Sequence, residues 1–239
     1  CCQTARCTDS AQLCCQMTRG SWRSSKRTSP ADSGALRIVR LTLIRHGQTH
    51  SNVGRHLDTA APGADLTDLG RRQAAALVSS LAEHDVDSIF VSKLVRTHQT
   101  AAPLAAHRGL VPVELPGLHE ITAGDFEMRN DDEAMFAYIS TFQAWSLEGL
   151  HVAVPGGESG EEFFARFDAD LLRAATESAA PVIVSHGAAI RVWAAERAMN
   201  VGVAETAGRE LLNTGIVELE GDPVDGWRLI RWQGEALQG

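Results

Sequence analysis

Two apolar runs in this chain end in the same way. The stretches "LIRHGQT" at 43–49 and "IVSHGAA" at 183–189 pass from strand-like residues straight into a His-Gly pair. In open α/β sheets, binding sites form beyond the carboxyl ends of the strands, which is where His46 and His186 are expected to stand. Glycine after each histidine lets the backbone turn tightly and lets a ligand come close without meeting a Cβ. By itself a histidine at a strand end is more often an ordinary hydrogen-bonded side chain. The neighbouring cations shift that balance. Arg45 directly precedes His46, where its charge is costly to bury unless an anion or a carboxylate faces it; a structural salt bridge is the plainer alternative. Arg96, in "VSKLVRTHQTA", opens the next helix, where free N–H groups and the helix dipole also favour anions. Phosphoryl transfer asks for such a set: in-line positioning, and positive charge around the equatorial oxygens, which two arginines and a protonated His186 could supply without a metal.

Alternating strands and helices have to position these groups. Residues 38–44, "SIFVS", 111–114 and "PVIVS" read as strands, as do 215–219 and 227–232, the last two paired antiparallel through the turn "EGDPVDG". "LTDLGRRQAAALVSSLAE" reads as a helix N-capped by Thr67, with Leu69, Ala74, Leu77, Val78 and Leu81 facing inward. Further helices are expected from about Val95 to His107, with Pro103 a candidate kink, at 131–147, through "GESGEEFFARFDADLLRAATES", and at 188–199. The fold class is α/β: three layers, a mixed, mostly parallel sheet with helices on both faces. Residues 38–239 form one domain, with a capping insertion at about 125–155. Residues 1–37 are polar and rich in Ser, Thr and Arg without apolar periodicity; they read as a disordered or non-native extension, a targeting segment being the other reading.

Composition narrows the chemistry. No apolar stretch approaches the roughly 20 residues needed to span a bilayer, so a soluble protein without a membrane partner is expected. Residues 1–37 carry six Lys and Arg against two Asp, and the remainder carries 16 against 28 acidic residues. Such a body repels nucleic acid, and any anion must be held by a local knot of positive charge. All five cysteines, Cys1, Cys2, Cys7, Cys14 and Cys15, precede residue 16, which leaves the body without a disulfide framework or a thiol nucleophile and suits a reducing, cytoplasmic compartment. His46 and His50 lack the Glu of H-E-x-x-H and fall on an expected turn, so neither metal nor cofactor is expected. Asp168 and Asp170 read as a solvated helix face, and His84, His98, His107 and His151 as surface residues. His119 receives no role.

Several segments together resemble the histidine phosphatase superfamily, also called the phosphoglycerate mutase-like family. "RHGQTHSN" at 45–52 is similar to its R-H-G-x-T-x-x-N, with Arg55 suiting the position after it, and "LTDLGRRQA" at 66–74 to its following helix start. "SKLVRTHQTA" at 92–101 resembles S-x-L-x-R-x-x-Q-T-A, "LHEITAGDFE" at 118–127 and "PGGES" at 155–159 resemble the element around the acid, and "VSHGAAIR" at 184–191 the second His-Gly element. The likeness runs from about Val39 to Leu219 with the motifs in order. It implies that His46 is the nucleophile, that Arg45, Arg96 and His186 surround the phosphoryl oxygens, that Glu120 is the proton donor, and that Thr49 and Asn52 complete the lining. His46 must then be neutral to attack, and nearby arginines keep it so. Glu120 must start protonated, as burial and an adjacent phosphate dianion would favour. Three departures stand out: "HLDTAAPGAD" in place of a Gln-Gly after Arg55, Lys93 where Pro or Asp is common, and Met128 in place of a Gly.

The segment expected to cap the site, 125–155, bears one basic residue, Arg129, against six acidic ones, together with Phe136, Tyr138, Ile139, Phe142 and Trp145 at helical spacing. That row reads as core before it reads as a ligand wall. Scarcity of positive charge disfavours a doubly anionic substrate. The expectation is a metal-independent phosphomonoester hydrolase, a histidine acid phosphatase-type enzyme with a small-molecule substrate. A phosphoglycerate mutase is the alternative, and an inactive binding protein of the same fold comes last. A homodimer is one option for assembly.

Overall fold

The computed structural model describes residues 38–202, 206 and 209–236. The extension expected over residues 1–37 lies outside the described residues. The strands are β1 Val39–Arg45, β2 Ser88–Val91, β3 Val113–Glu114, β4 Pro181–Ser185, β5 Ile216–Asp222, β6 Gly226–Trp232 and β7 Glu235–Ala236. The helices are α1 His50–Val53, α2 Asp68–Ser80, α3 Val95–Arg108, α4 Asp132–Leu147, α5 Gly160–Glu177 and α6 Gly187–Arg197.

One sheet holds all seven strands in the order β3-β2-β4-β1-β5-β6-β7. From β3 to β1 every pairing is parallel, whereas β5, β6 and β7 are added antiparallel. Side chains alternate across the sheet as the period of two requires. Leu41, Leu43, Phe90, Ile183, Val217 and Leu219 enter one core with α5 and α6, while Ile44, Ile89, Val91, Val182 and Val184 enter another with α2 and α3. These are the three layers expected.

The register of two parallel strands does most to build the site. Leu43 pairs with Ile183, Ile44 with Val184 and Arg45 with Ser185. His46 and His186 therefore leave adjacent strands at the same level. On the far side of β4, Val91 pairs with Val184, which brings Ser92 to that same edge. Histidines separated by 140 positions are neighbours because a parallel crossover returned the chain in register.

α2 corrects one expected face. Thr67 caps it, accepting from the Gly70 N–H at 3.0 Å, and Gly70, Ala74, Leu77 and Leu81 are buried at helical spacing. Leu69, expected inside, is 42% exposed. A Cβ on Gly70 would lie 2.1 Å from the Gln48 carbonyl oxygen, and one on Gly47 would lie 2.7 Å from the Gly70 oxygen. The first turn of α2 thus sits backbone to backbone on the loop after His46, and the helix is rotated to present Gly70. Gly47 makes room for α2, not for a ligand.

The acidic pair on α5 needs a second correction. Asp168 accepts from Trp193 Nε1 at 2.7 Å and from Arg197 Nη2 at 2.8 Å, and Asp170 accepts the Gly117 N–H. A polar helical stripe looks alike in sequence whether it faces water or the donors of a neighbouring element. The aromatic row of α4 divides: Tyr138 and Trp145 are buried, whereas Phe136 and Ile139 point outward. α3 runs through Pro103 and ends on Gly109 at φ 68°.

Met128, which stands where the resemblance expects glycine, keeps a left-handed backbone at φ 61°. An L-residue other than glycine pays about 1–2 kcal/mol there, and glycine gives back about 0.5–1 kcal/mol through the unfolded chain. Met128→Gly is therefore expected to raise stability by up to about 1 kcal/mol, read as a higher urea midpoint at unchanged slope. A lower midpoint would mean that the Met128 side chain, half in solvent, contributes packing that outweighs the strain.

Candidate active site

The ends of β1 and β4 open into a cavity of about 80 Å³, lined by Arg45, His46, Thr49, Asn52, Arg96 and Glu120 among others. Space of that size holds several waters or one phosphate-sized group. His186 is fully buried beside it, its ring centroid 5.3 Å from that of His46 with the planes inclined at 60°. The structure thus brings together all seven residues singled out in the sequence.

His46 has a defined tautomer. Its Nδ1 lies 2.7 Å from the Gly47 carbonyl oxygen, which can only accept, so Nδ1 carries the proton and Nε2 keeps a lone pair. Burial, then Arg96 and Arg45, hold the ring well below the usual histidine pKa, so it is neutral. His186 is held by Ser92, whose Oγ is 2.8 Å from Nε2, leaving Nδ1 buried without a partner. Its pKa is likewise driven well down, by burial, Arg96 and His46. The expectation of a protonated His186 is corrected: burial and the surrounding cations favour the neutral ring, which a phosphate dianion beside it would oppose.

Both arginines are anchored at one end and free at the other. Arg45 Nη1 donates to the Leu211 carbonyl at 2.6 Å, while its Nε is buried and unpartnered. Gly187 matters here, since a Cβ would stand 3.1 Å from that Nε. Arg96 Nη2 donates to the Asp58 carbonyl at 2.8 Å and Nη1 lies 3.6 Å from Asp58 Oδ1, whereas Nε and Nη1 make no hydrogen bond. Burial lowers the pKa of both guanidiniums, yet from so high a starting value that they stay charged. Unsatisfied buried donors cost about 1–3 kcal/mol each, and Arg45 Nε, Arg96 Nε and His186 Nδ1, unpartnered together beside one cavity, describe a seat for an oxyanion.

Thr49 and Asn52 close a capping box on α1: the Thr49 N–H donates to Asn52 Oδ1 at 3.0 Å and the Asn52 N–H to Thr49 Oγ1 at 3.1 Å. His50 opens that short helix, where the sequence suggested only a turn. Glu120 comes from the segment before the 3₁₀ turn Gly124–Phe126, and its carboxyl accepts the N–H groups of Ile121, Ala188 and Ala189 at 2.8–3.1 Å. His119 donates from Nδ1 to the Glu120 carbonyl at 2.8 Å, and burial, then Arg166, lower its pKa to about 4.

A family model for the histidine phosphatase superfamily (branch 1) matches residues 41–234. The chain belongs to that superfamily. The chain is 35% identical over 212 residues to the PE-PGRS family protein PE_PGRS11 of Mycobacterium tuberculosis (strain ATCC 25618 / H37Rv), a match covering 81% of the chain and 36% of that relative's length. It is 31% identical over 156 residues to a protein of Yersinia pestis (strain Pestoides F) named probable phosphoglycerate mutase GpmB, covering 64% of the chain and 72% of that protein. Among solved structures it resembles a mycobacterial glucosyl-3-phosphoglycerate phosphatase in complex with VO3, with a TM-score of 0.69 and 27% identity over 82% of this chain and all of that one. The sheet with helices on both faces is the phosphoglycerate mutase-like fold of such neighbours.

Sequence reasoning missed the residues that hold this site in shape. Asp58, buried against Arg96, also accepts from Ser51 at 2.7 Å and the Ala64 N–H at 2.9 Å. It lies in the segment that departs from the family pattern, which was the available signal. Asn213 donates to the His46 carbonyl and to Asn52 Oδ1, both at 3.1 Å, and no local motif marks it. Among the described residues no group of three or more His, Cys, Asp or Glu is placed to hold a metal, and no helix is long and apolar enough to cross a membrane.

Proposed function

We propose that this chain is a metal-independent phosphomonoester hydrolase working through a phosphohistidine on His46, with Glu120 as proton donor. The observation that carries it is the set of buried nitrogens without a hydrogen bond, Arg45 Nε, Arg96 Nε and His186 Nδ1, around a neutral imidazole whose Nε2 is free to attack. In the first step Nε2 bonds to phosphorus as the P–O ester bond breaks, and Glu120 passes a proton to the departing oxygen. N–H bonds from Ile121, Ala188 and Ala189 hold that carboxyl at the cavity wall. Water then attacks phosphorus, gives a proton to Glu120, and the N–P bond breaks to return the lone pair to Nε2. Arg45, Arg96 and His186 hold the equatorial oxygens in both steps, and the Thr49–Asn52 box shapes the floor.

Hydrolysis is favoured over the mutase reading by charge. Arg45 and Arg96 are the arginines lining the cavity, and both are occupied by the phosphate role; Asp58 and Glu120 line it as well. On the cap, Arg129 pairs with Asp131 at 2.7 Å and Arg55 with Asp132 at 3.1 Å. A substrate with a second anionic group finds no spare cation there, so a neutral leaving alcohol fits best. The likeness to a named mutase keeps the other reading in play, and product analysis separates them. Purified protein in excess chelator is expected to release inorganic phosphate from a monoester panel at an undiminished rate and to trap acid-labile phosphohistidine at His46. Faster interconversion of phosphoglycerates than phosphate release would favour the mutase.

The pH profile carries a sign. Because burial and two arginines push the His46 pKa well below 6.5, the neutral nucleophile persists as pH falls through 6.5 and is lost only far below it. After correction for the second ionisation of the ester, near about 6, kcat/KM is expected to stay level between pH 7.5 and 5.5. A residual limb near 6.5 would mean that His46 titrates like a free imidazole.

A further inference from the structure

Glu120 lies on a stretch between two 3₁₀ turns, Pro116–Leu118 and Gly124–Phe126, with no strand or helix of its own to fix it. Besides the three N–H groups that its carboxyl accepts, one side chain does most to fix its backbone. Arg166 on α5 carries five N–H donors, and all five are used: Nε and Nη2 on the Glu158 carboxylate at 2.7 and 2.6 Å, Nη1 on the Gly117 and His119 carbonyls at 2.5 and 2.8 Å, and Nη2 on the Glu120 carbonyl at 3.1 Å. Glu158 completes the grip by accepting the Thr122 N–H at 2.9 Å, while its own N–H donates to Thr122 Oγ1 at 2.9 Å. Carbonyls at 117, 119 and 120 and the amide at 122 are thus tied to one bidentate ion pair, with both side chains at least four-fifths buried. The guanidinium is seated 5.1 Å from the Phe163 ring centroid. Neither Arg166 nor Glu158 lines the cavity, so apart from a lesser electrostatic effect of Arg166 on His186 the pair bears on the reaction through Glu120.

We infer that Arg166 and Glu158 are positioning residues for Glu120, setting the reach of its carboxyl to the leaving oxygen. The inference rests on the phosphohistidine reading of the site. A planar fork suits this task because its donors are fixed relative to one another; an ammonium has three donors and cannot span the same acceptors. Misplacing a reacting group by about 1 Å can cost on the order of 10²-fold.

The test compares two leaving groups. An alkyl phosphate needs a proton on its departing oxygen, whereas 4-nitrophenyl phosphate leaves as a stable phenolate and needs little help. For Arg166→Lys, and for Glu158→Gln as a second variant, kcat/KM on the alkyl ester is expected to fall about 10- to 100-fold and on the nitrophenyl ester less than about 3-fold. Because Glu120 also takes the water's proton, the nitrophenyl ester should leave more phosphohistidine on each variant than on the parent protein. Equal losses on both esters, or none on either, in variants that keep a cooperative melting transition would overturn the positioning role while leaving the phosphohistidine reading intact. If one variant does not fold, the other decides. If the parent protein forms no phosphohistidine from either ester, the underlying reading fails and the inference with it.

Discussion

His46→Ala is expected to abolish phosphate release, a loss of about 10⁴-fold or more, and to leave no trappable phosphoenzyme. The size follows from the geometry. Nε2 of His46 is the lone pair at the floor of the cavity, and its counterpart, His186, has Nε2 engaged by Ser92 and cannot substitute at the same angle to phosphorus. The donors that seat the phosphate remain in the variant, so substrate affinity should change far less than kcat. Phosphate binding that survives while turnover vanishes separates the nucleophile from the cage. Release persisting at more than about a hundredth of the parent rate would instead point to direct attack by water in a site where the imidazole only shapes the pocket.

Arg96→Ala is expected to lower kcat by about 10²–10³-fold, the usual loss when one preorganised donor to a developing charge is removed. Here a structural effect accompanies the catalytic one. Arg96 faces Asp58, and both side chains are almost fully buried, so deleting the cation strands a carboxylate. Breaking a buried pair typically costs about 3–5 kcal/mol; Ser51 and Ala64 still donate to Asp58, which should keep the loss at or below the lower end. Arg96→Lys distinguishes the two contributions. It keeps the charge near Asp58 but loses the fork, so stability should recover more than kcat. If Arg96→Ala slowed turnover only a few-fold in a folded protein, Arg96 would be a structural partner of Asp58 and little else.

Much of the architecture is legible from local pattern because its causes are local. Ser159 and Thr67 stand at helix starts since their side chains accept N–H groups three residues on, and "PVIVS" is apolar throughout since β4 is covered on both faces. Where several elements compete for one space, local pattern misleads. Leu69 fits the apolar stripe of α2, but the Gly47–Gly70 approach decides the rotation of the helix. Asp168 fits a solvated face until Trp193 and Arg197 arrive from α6.

By itself the sequence determined that two His-Gly strand ends and two arginines exist in a net acidic body where an anion needs a local knot of positive charge, and that strands and helices alternate. Charge type, strand ends and capping residues are properties of short stretches, readable without knowing what lies beside them. Only the tertiary structure decided which ring atom is free, that burial and nearby cations favour a neutral His186, and that Asp58, Asn213 and Arg166 hold the groups in place. Those outcomes depend on burial and on partners tens of residues away, and electrostatic energy depends on the distance through space between charges, which the order of residues along a chain does not specify.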